Sequence, residues 1–319
     1  MLVNILPFES KWLGIIAAIV TPALCALLLK AFASKLPKDQ GREFAVDGKK
    51  SAGKIRGAGI VFVISFIICS LLFVKVNVEY ALYYALLFFG MLTGYLDDRS
   101  DTPWNEYKKG LLDLIISAGT ATVFIIFNPE MTELHFFGLR CKVPAVIFGV
   151  LCAVLVWMLI NAVNCSDGID GFSSVLASTS FISAAAAIII RGTDKNTVNL
   201  VALMILTLLP YLWKNSEPST MMMGDAGSRA LGLFLAILIM KTGNILLVIP
   251  LCFMVCLDGL IGIAKVSMIR FLHLNVMKKI RTPLHDHFRK NIGWSNTQVI
   301  YRFVIIQIVL SAVTLFAMR

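Results

Sequence analysis

Charge is what this chain has least of. Lys, Arg, Asp and Glu make up 15% of its 319 residues, against about 25% in an ordinary soluble domain. Apolar residues reach 58% and the mean hydropathy is +0.82. Soluble domains are about 45–50% apolar, and no soluble core of this size can absorb so many long apolar runs. A water-soluble fold is therefore excluded. Polar linkers, low-complexity segments and internal repeats are also missing, so residues 1–319 read as a single polytopic membrane domain. No cleavable leader is evident, because the first apolar run is long and only one Lys, Lys11, precedes it. The seven cysteines (Cys25, Cys69, Cys141, Cys152, Cys165, Cys252 and Cys256) form no CxxC and fall mostly in apolar runs. They read as small core residues and not as a disulfide framework or zinc site.

What is abundant is long apolar sequence. A membrane helix needs about 20 mostly apolar residues. Ten candidates can be marked: 12–33, 57–74, 80–96, 111–127, 144–160, 172–190, 198–213, 230–243, 245–268 and 300–318. The expected fold is an all-α integral membrane bundle of about ten transmembrane helices, not a barrel of alternating strands. The stretch 128–143 is expected to form a short hairpin. Basic residues orient the bundle. Loops 35–56, 97–110, 161–171, 214–229 and 269–298 hold 18 Lys and Arg, the opposite side holds 8, and three lie in or near spans. The five polar loops are expected in the cytoplasm and both termini outside. The net charge of +10 then suits anionic membrane lipid or an anionic substrate and calls for no nucleic acid.

The acids and histidines gather on that same side. "GYLDDRSD" supplies Asp97, Asp98 and Asp101. "NAVNCSDGIDGF" supplies Asn161, Asn164, Asp167, Gly168 and Asp170. "MMMGDAGS" supplies Asp225, and "TPLHDHFRK" supplies His285 and His287. Each has a plain structural alternative: a solvated helix end at Asp97–Asp98, a helix cap at Asp225, capping by Ser166 or Asp170, a solvated basic loop around His285. Together they suggest chemistry. Adjacent carboxylates at a helix C-terminus are disfavoured, and a divalent cation offsets the penalty. Magnesium takes hard oxygen ligands, commonly one or two carboxylates plus substrate phosphate. Small residues around Asp225 would let backbone amides at a helix start approach a phosphate. Histidines among Arg281, Arg289 and Lys290 would suit a pyrophosphate. Asn161 and Asn164 read as buried polar groups that need partners. A metal site beside a cationic loop is the equipment of phosphoryl transfer.

The order "DD", "NxxNxxDGxDG", "MGDxGSxxLG" and "PLHxHF" resembles the polyprenyl-phosphate N-acetylhexosamine-1-phosphate transferases, over roughly residues 35–303. "PLHDHF" followed by "GWSNTQVIYRF" is most similar to the branch that takes phospho-N-acetylmuramoyl-pentapeptide, and Asp258 stands where that branch often has an acid. The resemblance implies transfer of phospho-MurNAc-pentapeptide from UDP-MurNAc-pentapeptide to undecaprenyl phosphate, giving lipid I and UMP in peptidoglycan synthesis. It implies magnesium as cofactor, a multi-pass protein of the bacterial cell membrane, and an active site facing the cytoplasm. A homodimer is a compatible assembly. By the same resemblance Asp225 is a metal ligand, with Asp98 beside it. Asp97 and Asp98 lie near the lipid phosphate, and one of them deprotonates the acceptor. Asn161, Asn164, Asp167, Gly168 and Asp170 surround nucleotide and metal, and His285 and His287 lie near the phosphates. The chain departs from the family at several places. "GKIRGAG" replaces GTPTMGG, with Gly53 and Gly59 kept. Asp101 stands near an expected Lys, for which Lys108 or Lys109 would substitute. Asp286 breaks the histidine run, and Met222 replaces an aromatic that can stack on uracil. Two alternatives follow: a related UDP-N-acetylhexosamine-1-phosphate transferase, and a transporter, for which intramembrane Asp258 is the hint.

The charge asymmetry predicts that single cysteines at Lys50, Asn105 and Leu284, in a background without native cysteines, react with impermeant maleimide only from the cytoplasmic face. Labelling of any of them on intact cells would overturn the orientation.

Overall fold

The computed structural model describes residues 10–39, 41, 51–100, 102, 104–136, 139–274 and 277–319. Lys50 and Asp101 lie outside the described residues. The chain runs through helices α1 (Ser10–Phe32), α2 (Gly59–Phe73), α3 (Val78–Asp98) and α4 (Glu106–Phe127) to a hairpin of β1 (Glu133–Phe136) and β2 (Leu139–Lys142). There follow α5 (Ala145–Cys165), α6 (Phe172–Arg191), α7 (Lys195–Asn215), α8 (Gly224–Lys241), α9 (Val248–Leu251), α10 (Phe253–Phe271), α11 (Leu284–His287) and α12 (Asn296–Ala317). The hairpin is antiparallel, with Glu133 opposite Lys142 and Phe136 opposite Leu139. Among the described residues, six helices are long and apolar enough to cross a membrane, or seven if the bent pair at 245–270 counts as one span. The other long helices depart from that pattern for visible reasons. Helix α2 has 15 residues, α3 contains Glu79 and four tyrosines, and α8 contains Asp225, Arg229 and Lys241.

Helix α8 is the axis of the bundle. Every one of its residues except Asp225 is buried, and α2, α3, α4, α5 and α6 all pack on it. Buried on all sides, it is a core helix although it carries charge. Its 18 residues begin six positions earlier than the apolar run at 230–243 suggests, because the polar start "GDAGSR" is itself helical. This corrects the charge tally as well. Arg229 is no loop residue; it lies inside α8 and is 3% exposed.

The run at 245–268 is not one helix either. It breaks at Cys252, and its two parts meet at 94°. A break inside an apolar bundle frees backbone groups that need partners. Gln307 of α12, fully buried, supplies both. Its Oε1 accepts from Met254 N at 3.0 Å, and its Nε2 donates to Pro250 O at 3.0 Å.

The two ends of the bundle differ in kind. At the C-terminus of α8, Lys241 Nζ donates to Glu79 Oε1 at 2.8 Å and to Asn128 Oδ1 at 3.0 Å, and it pairs with Asp194 Oδ2 at 3.0 Å. A cation at a helix C-terminus complements the dipole, and this buried network ties α3, α4, α7 and α8 together. The hairpin sits at the same end, where Asn244 Nδ2 donates to His135 O at 2.9 Å. The described residues of 33–39, 51–58, 98–100, 104–106, 165–172, 215–224, 271–274 and 277–296 lie at the opposite end, so the described parts of the five polar loops share one side. Because α1 leads into that end and α12 leads away from it, residues 10 and 319 lie at the hairpin end.

Gln307→Leu removes the partners of two backbone groups in an apolar setting, each worth roughly 1–3 kcal/mol when left unsatisfied. The variant is expected to melt several degrees below wild type in the same detergent. An unchanged melting temperature would show that Gln307 does not support the bend.

Candidate active site

The start of α8 is where the acids converge. Helices α3 and α8 approach so closely at Gly94 that a Cβ there would lie 2.4 Å from the Asp225 carbonyl carbon. That contact brings the C-terminus of α3 onto the N-terminus of α8. The two adjacent acids then part company. Asp98 Oδ2 accepts from Ala226 N at 3.2 Å, and a Cβ on Gly224 (φ +66°) would strike that same oxygen at 2.1 Å. Asp97 turns the other way, accepting from Trp104 N at 2.8 Å and pairing with Lys109. The penalty expected for two carboxylates at one helix C-terminus is thus met by different partners, and Asp98 gains the favourable N-terminus of another helix. One backbone amide of that N-terminus, Ala226 N, is thus taken by the protein's own Asp98 carboxylate. Asp225 itself is not a cap, since α8 has no side-chain cap.

Two cations hold the cluster. Arg56 donates from Nε to Asp98 Oδ1 at 2.8 Å and from NH1 to Asp39 Oδ1 at 3.2 Å, and its NH2 lies 3.7 Å from Asp225 Oδ1. Lys109 pairs with Asp97 and reaches Asp225 Oδ2 at 3.4 Å. Of the two candidate lysines, Lys109 is the one that reaches the acids, whereas Lys108 lies over the Trp104 ring at 3.4 Å. Asp98 stands past the apolar segment 80–96. Burial first, then the Asp225 carboxylate, push its carboxyl up to about 6, against the pull of Arg56.

One turn deeper the charges are inverted. Asp113 is four residues after Lys109, Arg229 is four residues after Asp225, and Arg229 NH2 donates to Asp113 Oδ1. Both are almost fully buried. Helices α4 and α8 are thus joined by two ion pairs of opposite sense, with residues four apart on each helix on one face.

The other predicted residues surround this centre. Asn164 Nδ2 donates to Ser228 Oγ at 2.9 Å, and Ser228 in turn donates to Gly224 O at 3.0 Å. Asn161 donates to Trp157 O at 2.8 Å and also bonds Asp113. Asp170 accepts from Ser219 N at 3.1 Å and from Lys54 Nζ at 3.3 Å, so it braces two loops and does not cap α6. Asp167 is half-buried on the same loop and Gly168 is exposed. Met222 is half-buried, and its backbone stitches 219–223 to 51–58: Met222 N donates to Ile55 O at 2.7 Å, and Ala58 N to Met222 O at 3.1 Å. His285 is buried and clasped by Asp258, through His285 N to Oδ1 at 2.7 Å and through Nδ1 to Oδ2 at 2.8 Å. Its Nε2 faces Gly168, where a Cβ would lie 2.3 Å away. His287 does not join it; Nδ1 accepts from Arg281 N at 3.3 Å. Two residues apart on α11, His285 and His287 point about 200° away from each other.

Residues of the centre that the motifs miss are Asp39, Arg56, Lys54, Asp113 and Arg229. The spacing of Lys54 and Arg56 held a signal. In an extended segment, alternate residues share a face, and Ile55 between them bridges Met221 in parallel. Asp39 had none, as it is one of three acids, with Glu43 and Asp47, in a basic loop and stands in no motif.

Asp98 and Asp225 supply hard oxygen donors of the type magnesium takes. Asp39, Asp97, Asp98 and Asp225 against Arg56 and Lys109 leave two negative charges, enough for one divalent ion. Among the described residues, no three His, Cys, Asp or Glu side chains form a ready cage. Magnesium does not need one, since one or two carboxylates with phosphate and water commonly suffice. The residues fit the ion.

A membrane-embedded helical bundle with an acid–cation cluster at one end is built for chemistry on anionic groups at the membrane surface. The glycosyl transferase family 4 profile matches residues 80–243. The chain is 37% identical over 290 residues to phospho-N-acetylmuramoyl-pentapeptide-transferase of Treponema pallidum (strain Nichols), covering 85% of this chain and 80% of that protein. It is 30% identical over 281 residues to the protein of that name from Dictyoglomus turgidum, covering 86% and 87%. It is 28% identical over 268 residues to the one from Wolbachia sp. subsp. Brugia malayi, covering 80% and 82%. The chain belongs to glycosyl transferase family 4.

The inner ion pair yields a test. Removing one partner of a buried pair costs about 3–5 kcal/mol, whereas replacing both with apolar residues is often neutral. Asp113→Leu and Arg229→Leu are each expected to lower the melting temperature markedly, and the double variant to recover most of it. Additive losses in the double variant would show that the two side chains do not depend on each other.

Proposed function

We propose that this protein transfers phospho-MurNAc-pentapeptide from UDP-MurNAc-pentapeptide to undecaprenyl phosphate, releasing UMP and forming lipid I. The observation that bears most weight is the convergence of Asp97, Asp98 and Asp225 under Arg56 and Lys109 at one end of the bundle, in a chain so similar to transferases of that name. The reaction is a displacement at phosphorus. An oxygen of the lipid phosphate bonds to the sugar-bearing phosphorus of the donor. The bond from that phosphorus to the bridging oxygen breaks, and the electron pair leaves on UMP. Three groups of negative oxygens must be brought together, so neutralisation and alignment supply most of the catalysis.

Asp225 and Asp98 would hold magnesium, which when bound offsets the charge of the donor phosphates. Asp97, held by Lys109 and by Trp104 N, faces the acceptor, and one of the Asp97–Asp98 pair takes the last proton of the lipid phosphate. His285 presents Nε2 toward Gly168 while Asp258 fixes Nδ1, a carboxylate–imidazole arrangement that sets the tautomer. Its Nε2 is assigned to the phosphates. Asn161, Asn164, Asp167 and Asp170 line the nucleotide side, with Met222 against the base. Ten spans, both termini outside and a site facing the cytoplasm complete the reading. The excess of basic residues in the five loops at the site end supports that orientation.

A transferase for a different UDP-N-acetylhexosamine is the second reading, favoured by departures that lie on the nucleotide side. Transport finds less support. A transporter places its polar groups near mid-membrane, whereas here the acids collect at one end, and Asp258 is engaged by His285.

Purified protein supplied with undecaprenyl phosphate, magnesium and a panel of UDP-sugars is expected to release UMP and form lipid I only from UDP-MurNAc-pentapeptide. Asp225→Asn should abolish turnover with an unchanged melting temperature. A different lipid product would favour the second reading, and equal activity of the variant would remove Asp225 from the metal site.

A further inference from the structure

We propose that Arg56 is a resident counter-ion that competes with the divalent cation for Asp98 and Asp225, and that it passes to the donor diphosphate once the cation has taken those carboxylates. This inference rests on the phosphoryl-transfer reading of the same site.

The guanidinium engages three acids in graded fashion. Nε donates to Asp98 at 2.8 Å and NH1 to Asp39 at 3.2 Å, while NH2 lies 3.7 Å from Asp225. The last distance is too long for a hydrogen bond, so that arm is drawn by charge and keeps its donors to spare. Asp98 and Asp225 are the carboxylates assigned to the divalent ion. A guanidinium between them neutralises the same charge and repels an arriving cation.

Asp39 gives Arg56 an anchor that metal binding leaves in place. Its carboxylate is buried and fixed from other directions, by Ser51 Oγ at 2.5 Å and Gly41 N at 3.2 Å. Its backbone pairs with the arginine's own segment, through Asp39 N to Lys54 O and Gly53 N to Asp39 O, both at 2.8 Å. Ile55 is bridged further to Met221. The arginine therefore hangs from a braced loop by one arm while the other two face the reacting end. A divalent ion on Asp98 and Asp225 takes away two of its three partners. The freed planar fork then suits two phosphate oxygens. The exchange conserves charge complementarity: the ion replaces arginine on the acids, and the diphosphate replaces the acids on arginine.

The test uses the full chain in detergent and two binding measurements. Free Mn²⁺ is counted by electron paramagnetic resonance without nucleotide, and UDP is titrated calorimetrically at saturating Mn²⁺. Arg56→Gln is expected to bind Mn²⁺ about tenfold more tightly and UDP about tenfold more weakly, the size of one charge-assisted hydrogen bond. Arg56→Lys, which keeps the charge but loses the fork, should stay near wild type for Mn²⁺ and fall between the two for UDP. A merely structural arginine would weaken both ligands in the Gln variant and lower its melting temperature. That result, or unchanged Mn²⁺ affinity, overturns the proposal while Mg²⁺-displaceable Mn²⁺ binding by wild type still upholds the cation site. Absence of Mn²⁺ binding by wild type overturns both.

Discussion

A helix buried on every side must find a partner for each charge it carries, as Arg229 inside α8 does in Asp113, and can leave charge open only at its ends. Helix α8 meets that constraint with Lys241 at its C-terminus and Asp225 at its N-terminus, each in agreement with the helix dipole. The rest of the structure follows from how those two ends are satisfied. At one end Lys241 is enclosed by Glu79, Asn128 and Asp194, which turn its charge inward and tie four helices together. At the other end more acids gather than cations, and the surplus is the chemical resource. One end is therefore a clamp, and the other is a site.

The same constraint explains why adjacent acids do different work. Asp97 and Asp98 differ by one position, about 100° around α3, so one turns to α4 and its Lys109 while the other turns to the start of α8. Arg56 enters from a braced loop and spans Asp39, Asp98 and Asp225. The site is thus assembled from residues far apart in sequence, on segments that meet only because α8 holds the surrounding helices in register. His285 joins by a separate route, pinned to α10 by Asp258 and fitted against Gly168.

Much of this was legible beforehand. Hydropathy located every long helix, since apolar length is a direct physical requirement of the bilayer. The clustered acids at 97–98, 167–170 and 225 marked the site because charge in such a chain is costly without a task. Three features were not legible. The break at Cys252 depends on Gln307, 55 positions away, which no local pattern reveals. Arg229 looked like a loop cation because its partner Asp113 lies on another helix. Asp39 carried no motif, and Arg56 had only its spacing from Lys54 in a segment that departs from the family; the fold alone brings them together at Asp98. Even the early alternatives had mixed fates: Asp170 braces loops where capping was the simple reading, and His287 turned to Arg281 although it looked equal to His285.

The proposed transfer depends on a divalent ion held by Asp98 and Asp225 against the donor's phosphates. Electron–nuclear double resonance on protein-bound Mn²⁺, with UDP present and aspartate carboxylates labelled with ¹³C, tests it directly. The expected result is hyperfine coupling of the ion to both ³¹P and ¹³C, with the ¹³C coupling reduced to that of one carboxylate in Asp225→Asn. Coupling to phosphorus alone, unaffected by that substitution, would contradict it.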